Sequence, residues 1–433
     1  MDIITISIIL TASLLALLSA GVWVALTLMA VGLLGMALMG LDSSGLILAT
    51  TTWGASSSWA LTALPLFIWM GEILFQTKLS KALFEGLTPW LGRIPGQLLH
   101  VNILSCGVFA AVSGSSAATA ATIGKMTLPE LKRRGYNESM AIGTLAGSGT
   151  LGLLIPPSII LIVYGVAAEV SISRLFIAGA VPGLLLVTLF MAYTIVWSMV
   201  YSKEGQKQVQ KYSFVEKVKS INELLPVVGL IIFVLGSIYT GLTTPTEAAA
   251  FGVIGALFLA FATGSLTTGS FKDSLLGAVR TSCMISLILA GAAFLTISMG
   301  FLGIPRALAT LIGELQLSPY MLLVYLTLLF VVLGCFLDGI SVVVLTTSIV
   351  LPMVQQAGID LLWFGIYIVL VVEMSQITPP VGFNLFVIQS LTGKSILYVA
   401  KAAFPFFLLI MLAVVLITIF PSIVTGLPMA MLR

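Results

Sequence analysis

Ser113-Gly114-Ser115-Ser116-Ala117-Ala118-Thr119, followed after an apolar arm and a turn by Gly152-Leu153-Leu154-Ile155-Pro156-Pro157-Ser158, is the stretch that decides the fold. A second copy follows 223 residues later. Pro129, Gly135 and Pro156/Pro157 recur as Pro352, Gly358 and Pro379/Pro380 with the 6- and 21-residue spacings unchanged, and Gly114 to Ser116 fall on Leu337, Asp338 and Gly339. Each copy reads as an apolar arm, a small polar tip, an apolar arm back, a turn, and a hydrophobic helix broken at mid-length by two prolines. That is the sequence form of a re-entrant hairpin facing a discontinuous helix, and it points to a membrane transporter.

Composition agrees. With 59% hydrophobic and 8% charged residues in 433, and a mean hydropathy of +1.17, the chain is an all-α polytopic membrane protein with no hidden soluble domain. The net charge of +3 reflects loop lysines and gives no reason to expect nucleic acid. Cys106, Cys283 and Cys335 lack CxxC spacing, so neither a disulfide nor a cysteine metal site is expected. His100, the single histidine, is placed at an interface and leaves nothing for a His-based cluster. The start, Met-Asp-Ile-Ile, has no basic n-region, so Ile3 to Ser19 is read as a retained span.

In chain order, spans are expected at Ile3–Ser19, Val22–Gly40 and Leu61–Phe75, with interfacial elements at Trp53–Trp59 and Thr88–Gly96. The first hairpin is expected over residues 101–128, the first broken helix over 140–169, and a full span over Phe176–Val200. The second half repeats the plan: spans near Leu224–Tyr239, Glu247–Ala262 and Leu275–Gly300, an interfacial Ile304–Leu315, a hairpin over 320–349, a broken helix over 361–388, and a last span at Ala402–Ile423. Each half, 1–212 and 213–433, then crosses five times, so the second enters the membrane upside down relative to the first, an inverted repeat. Hairpins and broken helices are assigned to a mobile domain and the remaining spans to a scaffold. Both termini are placed outside, which puts sixteen Lys and Arg inside, Arg280 among them, and leaves Arg174, Arg306 and Arg433 outside.

Backbone that leaves a helix at membrane depth strands polar groups at a cost of roughly several kcal/mol each unless they face protein, water or an ion. The tip at Ser113–Thr119 supplies small residues and hydroxyls for such a place. Gly149–Pro157 and Ser375–Gly382 supply facing breaks, where the prolines free carbonyls four residues earlier. Freed carbonyls suit cations, while the helix halves that start near Pro157 and Pro380 point positive ends at the same depth, which suits an anion. Glu72, Asp338 and Glu373 are the deepest acids, and Asp338 on the second tip is the one expected to function, with Gly339, Ser341, Gln376 and Asn384 in its constellation. Thr244-Pro245-Thr246-Glu247 reads as a capping box that starts a span.

The motifs Ser-Gly-Ser-Ser-Ala-Ala-Thr, Gly-Thr-Leu-Gly-Leu-Leu-Ile-Pro-Pro-Ser, Thr-Pro-Thr-Glu-Ala-Ala and Thr-Pro-Pro-Val-Gly-Phe-Asn, in that order along nearly the whole chain, resemble the large membrane subunit of tripartite ATP-independent periplasmic (TRAP) transporters. The resemblance implies a sodium-driven elevator importer in the bacterial inner membrane, fed by a periplasmic substrate-binding protein and accompanied by a small four-helix membrane subunit, here expected as a separate chain. It implies an organic acid as cargo, chiefly of the C4-dicarboxylate or sialic acid class. At least two sodium ions are expected, on oxygens of Ser113, Ser116, Gly149, Gly152, Pro156, Gly334, Asp338, Gly339, Ser375, Thr378 and Val381. The cargo is expected between Ser115, Ser116 and Thr119 and the helix starts at Pro157, Ser158 and Asn384, with Asp338 nearby and no Lys or Arg at that depth. A sodium/proton antiporter or channel would need an acid pair at the midplane. An intramembrane protease would need two aspartates, or a serine with a partner base.

Overall fold

The computed structural model describes residues 3–41, 43–76, 79–92, 94–201, 213–307, 310 and 318–431. Lys78, Arg93, Lys203, Lys207, Lys211, Arg433 and most of the expected interfacial segment Ile304–Leu315 lie outside the described residues. The described residues are helical, with no strand among them.

The first half begins with α1 (Ile3–Ser19), α2 (Val24–Leu38), α3 (Ser44–Ser56), a single 3₁₀ turn (Trp59–Thr62), α4 (Ala63–Gln76) and α5 (Leu79–Leu91). Its hairpin is α6 (Leu98–Ser113) and α7 (Ser116–Arg133), its broken helix α8 (Glu138–Thr150) and α9 (Ile159–Ala167), and α10 (Ile172–Tyr201) closes it. The second half runs α11 (Phe214–Tyr239), α12 (Pro245–Ala262) and α13 (Thr268–Phe301). The hairpin α14 (Pro319–Gly334) and α15 (Gly339–Gln356) follows, then the broken helix α16 (Leu361–Gln376) and α17 (Phe383–Thr392), and finally α18 (Ile396–Ile419) and α19 (Ser422–Met431).

Local chemistry explains where these elements start and stop. Gly114, at φ +57°, takes the left-handed turn that ends α6, and Ser115 caps α7 by accepting from the Ala118 N–H. In the same register of the second copy Asp338 caps α15, accepting from the Ile340 and Ser341 N–H groups. Asn137 and Asp360, again 223 residues apart, cap α8 and α16 through the N–H groups of Met140 and Trp363. The capping box at α12 forms as the sequence implies: the Thr244 N–H donates to Glu247 Oε2 at 2.8 Å, and the Glu247 N–H to Thr244 Oγ1 at 3.4 Å.

Among the described residues, five helical segments are long and apolar enough to span a membrane, and up to seven if two bent helix pairs are each counted as one span. Element limits depart from expectation in several places. The hairpin arms have 16 and 18 residues in each copy, about 24–27 Å of helix rather than the dozen residues expected. α11 begins at Phe214, ten residues before the expected span, and bends by 50° near residue 223. α13 reaches back to Thr268, so its 34 residues exceed the hydrophobic window. The last span ends at Ile419, where Pro421 interrupts it, and α19 turns to pack on α10. Around Trp53 the helix is α3, set against α13, and residues 79–91 form α5, packed on α6 and α11 rather than starting at Thr88. His100 is fully buried, its Nε2 2.7 Å from the Pro95 carbonyl, because α6 starts two residues earlier and draws that turn into the protein.

Two bodies of contacts emerge. α2, α3, α4 and α12 gather around α13 and α4, with α1 on α2 and α11 between α5 and α12. In the other body α6 and α7 pack on α8, while α14 and α15 pack on α16. The copies also exchange partners: α7 meets α17 and α15 meets α9, α8 meets α18 and α10 meets α16. The central helices are buried on all sides; every residue of α16 from Trp363 to Gln376 is buried.

Candidate functional site

Residues 151–158 leave the helix between α8 and α9 through a 3₁₀ turn and the Pro156–Pro157 pair, and Ile377–Gly382 leave it between α16 and α17 through Pro379–Pro380. Both Pro–Pro peptide bonds are cis. The first tip rests directly on the first break. A Cβ on Gly114 would stand 3.1 Å from the Pro157 carbonyl oxygen, and one on Gly152 would stand 2.5 Å from that of Ser115. A side chain at either position would push tip and break apart, so glycine is what permits the contact. Gly149 likewise faces Ala120 of α7.

The hydroxyls of this tip bond one another. Ser113 Oγ and Thr119 Oγ1 are 2.7 Å apart, and Thr119 Oγ1 donates to the Ser115 carbonyl at 2.8 Å. Ser116 and Thr119 are buried. Ser158 caps α9 through the Leu161 N–H and donates to the Leu153 carbonyl, taking up one of the acceptors that the prolines leave free. Gly149, Gly152, Pro156, Pro157 and Ser158 thus lie with Ser113 to Thr119 in one buried cluster.

At the second tip the contact is made differently. A Cβ on Gly334 would stand 1.9 Å from Ser375 Oγ, so this arm lies against the Ser375 side chain. The Gly382 N–H donates to the Cys335 carbonyl at 3.2 Å, Cys335 Sγ donates to the Pro379 carbonyl at 3.4 Å, and Gln376 Nε2 to the Leu337 carbonyl at 3.4 Å. Thr378 donates back to the Met374 carbonyl and Val381 is half-buried. Gly339 reaches across: a Cβ there would meet Val372 at 2.9 Å and, from the other copy, Leu153 at 3.2 Å and Ile160 at 3.4 Å. Asp338 turns its carboxylate to its own helix start, accepting also from Ser341 Oγ.

Two buried polar side chains stand out. Asn384, just inside α17, is fully buried with neither amide atom hydrogen-bonded, and Glu373 is fully buried with both carboxylate oxygens unpartnered among the described residues. An unmet polar group in such a place costs about 1–3 kcal/mol or more, which marks these positions as places for a ligand atom or ion. Glu72 lies apart from the tips, against Gly277 of α13.

A cation shares a cavity with the second tip. Asp338 and Ser341 line a cavity of about 520 Å³ together with Trp23, Cys283 and Arg280. Arg280, counted with the cytoplasmic charges, is the thirteenth residue of α13 and faces that cavity. In the sequence, position 280 falls in the first two turns of the span expected at Leu275–Gly300.

Hairpins that meet broken helices inside a multi-pass bundle define the architecture of a membrane transport protein. A solved structure has the same fold: the Alcanivorax borkumensis YdaH transporter, at TM-score 0.62 and 17% identity, with 88% of this chain and 90% of that one covered. The chain belongs to the family described as the tripartite ATP-independent periplasmic transporter, DctM component, which residues 11–423 match. Among its relatives are the C4-dicarboxylate TRAP transporter large permease DctM of Pseudomonas aeruginosa, 33% identical over 88% of this chain and 89% of that protein. The sialic acid TRAP transporter large permease SiaM of Vibrio cholerae is 30% identical over 96% of each. The isethionate TRAP transporter permease DctMQ of Oleidesulfovibrio alaskensis is 35% identical, over 83% of this chain and 56% of that longer protein.

Proposed function

We propose that this chain is the transporting subunit of a sodium-coupled importer of an organic anion, of the chemical range its relatives span: dicarboxylates, sugar acids and small sulfonates. The observation that carries the reading is the pair of non-helical breaks buried against two hairpin tips, where carbonyls, hydroxyls and the orphaned Asn384 amide provide oxygens for sodium and α9 and α17 direct positive ends toward an acid. Sodium is the co-transported ion: a deep anion crosses at lower cost when ions accompany it. The exchanged contacts between copies support the inverted repeat, and the grouping of helices into an α13-centred bundle and a hairpin bundle supports an elevator. In this reading a periplasmic binding protein delivers the cargo, a separate small membrane subunit flanks the scaffold, lipid surrounds both, and the two termini lie on the periplasmic side.

Proteoliposomes containing the complete three-component system test it. Uptake of a labelled acid should require sodium on the delivering side and the binding protein. Equal uptake without sodium, at fixed membrane potential and pH gradient, rejects the coupling; robust uptake by this subunit alone rejects the tripartite assembly. A proton antiporter is less well supported, because Asp338 has no second acid beside it on the lining of its cavity.

A further inference from the structure

The cavity at the second tip joins the two bodies of the molecule. One wall is Asp338 and Ser341 of the hairpin; the other is Trp23, Val24 and Ala25 of the α2 start with Arg280, Cys283 and Met284 of α13. Arg280 is the one cation on the lining among the described residues. It sits about 18 Å along a helix of 34 residues, with about 31 Å of apolar helix beyond it. It is exposed to the cavity and has no ion pair among the described residues. The two acids nearest in the packing are already placed: Glu72 lies one turn back, against Gly277, and Asp338 accepts from its own helix start and from Ser341. The guanidinium therefore offers its donors to whatever enters the cavity.

We infer that Arg280 anchors the carboxylate or sulfonate of the cargo, held by the scaffold under the second tip, while Ser341 and Asp338 meet a hydroxyl or ammonium on the same molecule. This rests on the reading of the chain as an organic-anion carrier. A planar guanidinium matches either acid group with two parallel hydrogen bonds, which no helix N-terminus does. About 520 Å³ suits a small acid, and Trp23 gives the lining an apolar face.

Cys283, one turn from Arg280 on the same wall and exposed, reports the local charge without any transport step. In the complete complex with Cys106→Ala and Cys335→Ala, its modification by an anionic sulfonatoethyl and a cationic trimethylammonioethyl methanethiosulfonate is compared. The anionic reagent should be favoured; Arg280→Gln should cut that preference about ten-fold, and Arg280→Lys should keep most of it. Succinate or isethionate should slow labelling when Arg280 is present and not in Arg280→Gln. In proteoliposomes Arg280→Gln should raise the KM for the acid about ten-fold or more and leave the sodium dependence unchanged. A preference that ignores Arg280→Gln, an absence of protection by either acid, or a Cys283 inert to both reagents overturns the proposal. Charge-dependent labelling without uptake of any acid sinks the carrier reading and leaves the anion site standing; robust uptake with charge-blind labelling does the reverse.

Discussion

The two tip-and-break pairs come from the same repeated pattern and solve the same contact in opposite ways. In the first, Ala111 is on the hairpin and glycine, Gly152, on the broken helix; 223 residues later, Gly334 is on the hairpin and Ser375 on the broken helix. Between Gly334 and position 375 there is room for one side chain, Ser375, whereas at Gly152 the backbone of Ser115 fills the room. The first tip is capped by a neutral Ser115 and the second by a charged Asp338. Pro156 and Pro157 are buried, whereas Pro379 and Pro380 are exposed. Thr150 bonds the Gly147 carbonyl, while its counterpart Glu373 has no partner among the described residues. Register thus duplicates where the helix breaks and what touches it, and charge and opening are then distributed unevenly.

Substitutions that convert one pair into the other test this contrast. Gly152→Ala should have the largest effect, a loss of most uptake, because the new Cβ would stand 2.5 Å from a backbone oxygen that no second substitution can trim. Gly334→Ala should lower uptake about ten-fold, in line with overpacking costs of roughly 1–3 kcal/mol. Adding Ser375→Gly removes the side chain that the new Cβ would meet and should restore uptake to within about three-fold. If the double variant is as poor as the single one, the shared-room account is wrong.

Asp338→Asn and Asp338→Ser keep a good helix cap while removing the charge, so expression and melting temperature should hold while the sodium needed for half-maximal uptake rises about ten-fold. Ser116→Ala at the first tip should raise it only about three-fold, since one neutral oxygen among several is lost. A larger shift at Ser116 than at Asp338 would reverse the proposed division between the tips.

The smallest effect belongs to the hairpin mouths. At the first, burial alone would push Glu130 up, but hydrogen bonds from Arg134 and Arg133 outweigh it and hold its carboxyl below the ordinary range. A depressed carboxylate stabilises above its unfolded pKa, about 4.3, and that contribution fades as pH falls through the folded value. Glu130→Gln should therefore cost under about 1 kcal/mol at pH 7, with the melting difference narrowing in acid. A constant difference from pH 7 downward would assign the effect to packing instead.

The hairpins, breaks and caps were legible because they depend on proline, glycine and small polar residues, whose backbone consequences are local. The ends of α11 and α13 were not, because polar turns at the membrane edge continue a helix as readily as they end one, and only packing decides. At the site, Ser113 to Thr119 and Gly149 to Ser158 were readable as partners from their repetition. The place of Arg280 beside Asp338 needed coordinates, because counting charges by loop does not say which cavity a side chain lines. The unmet state of Asn384 needed coordinates, since no sequence records which neighbours an amide lacks.

One contact reaches further. The first tip lies on Pro157 and Ile159 through Gly114, and the second lies on Leu153 and Ile160 through Gly339, so both hairpins lean on the same few residues around the first break. With ions at the tips as proposed, a shift of that segment caused by one occupant would be delivered to the other. Linkage then demands symmetry: whatever factor an ion at the first tip adds to affinity at the second, the second returns to the first. Ions loaded in either order would reach the same fully occupied state with the same total free energy, and partly loaded forms would be scarce in proportion to that factor. In a carrier coupled as proposed, scarcity of half-loaded forms would keep a gradient from draining without cargo.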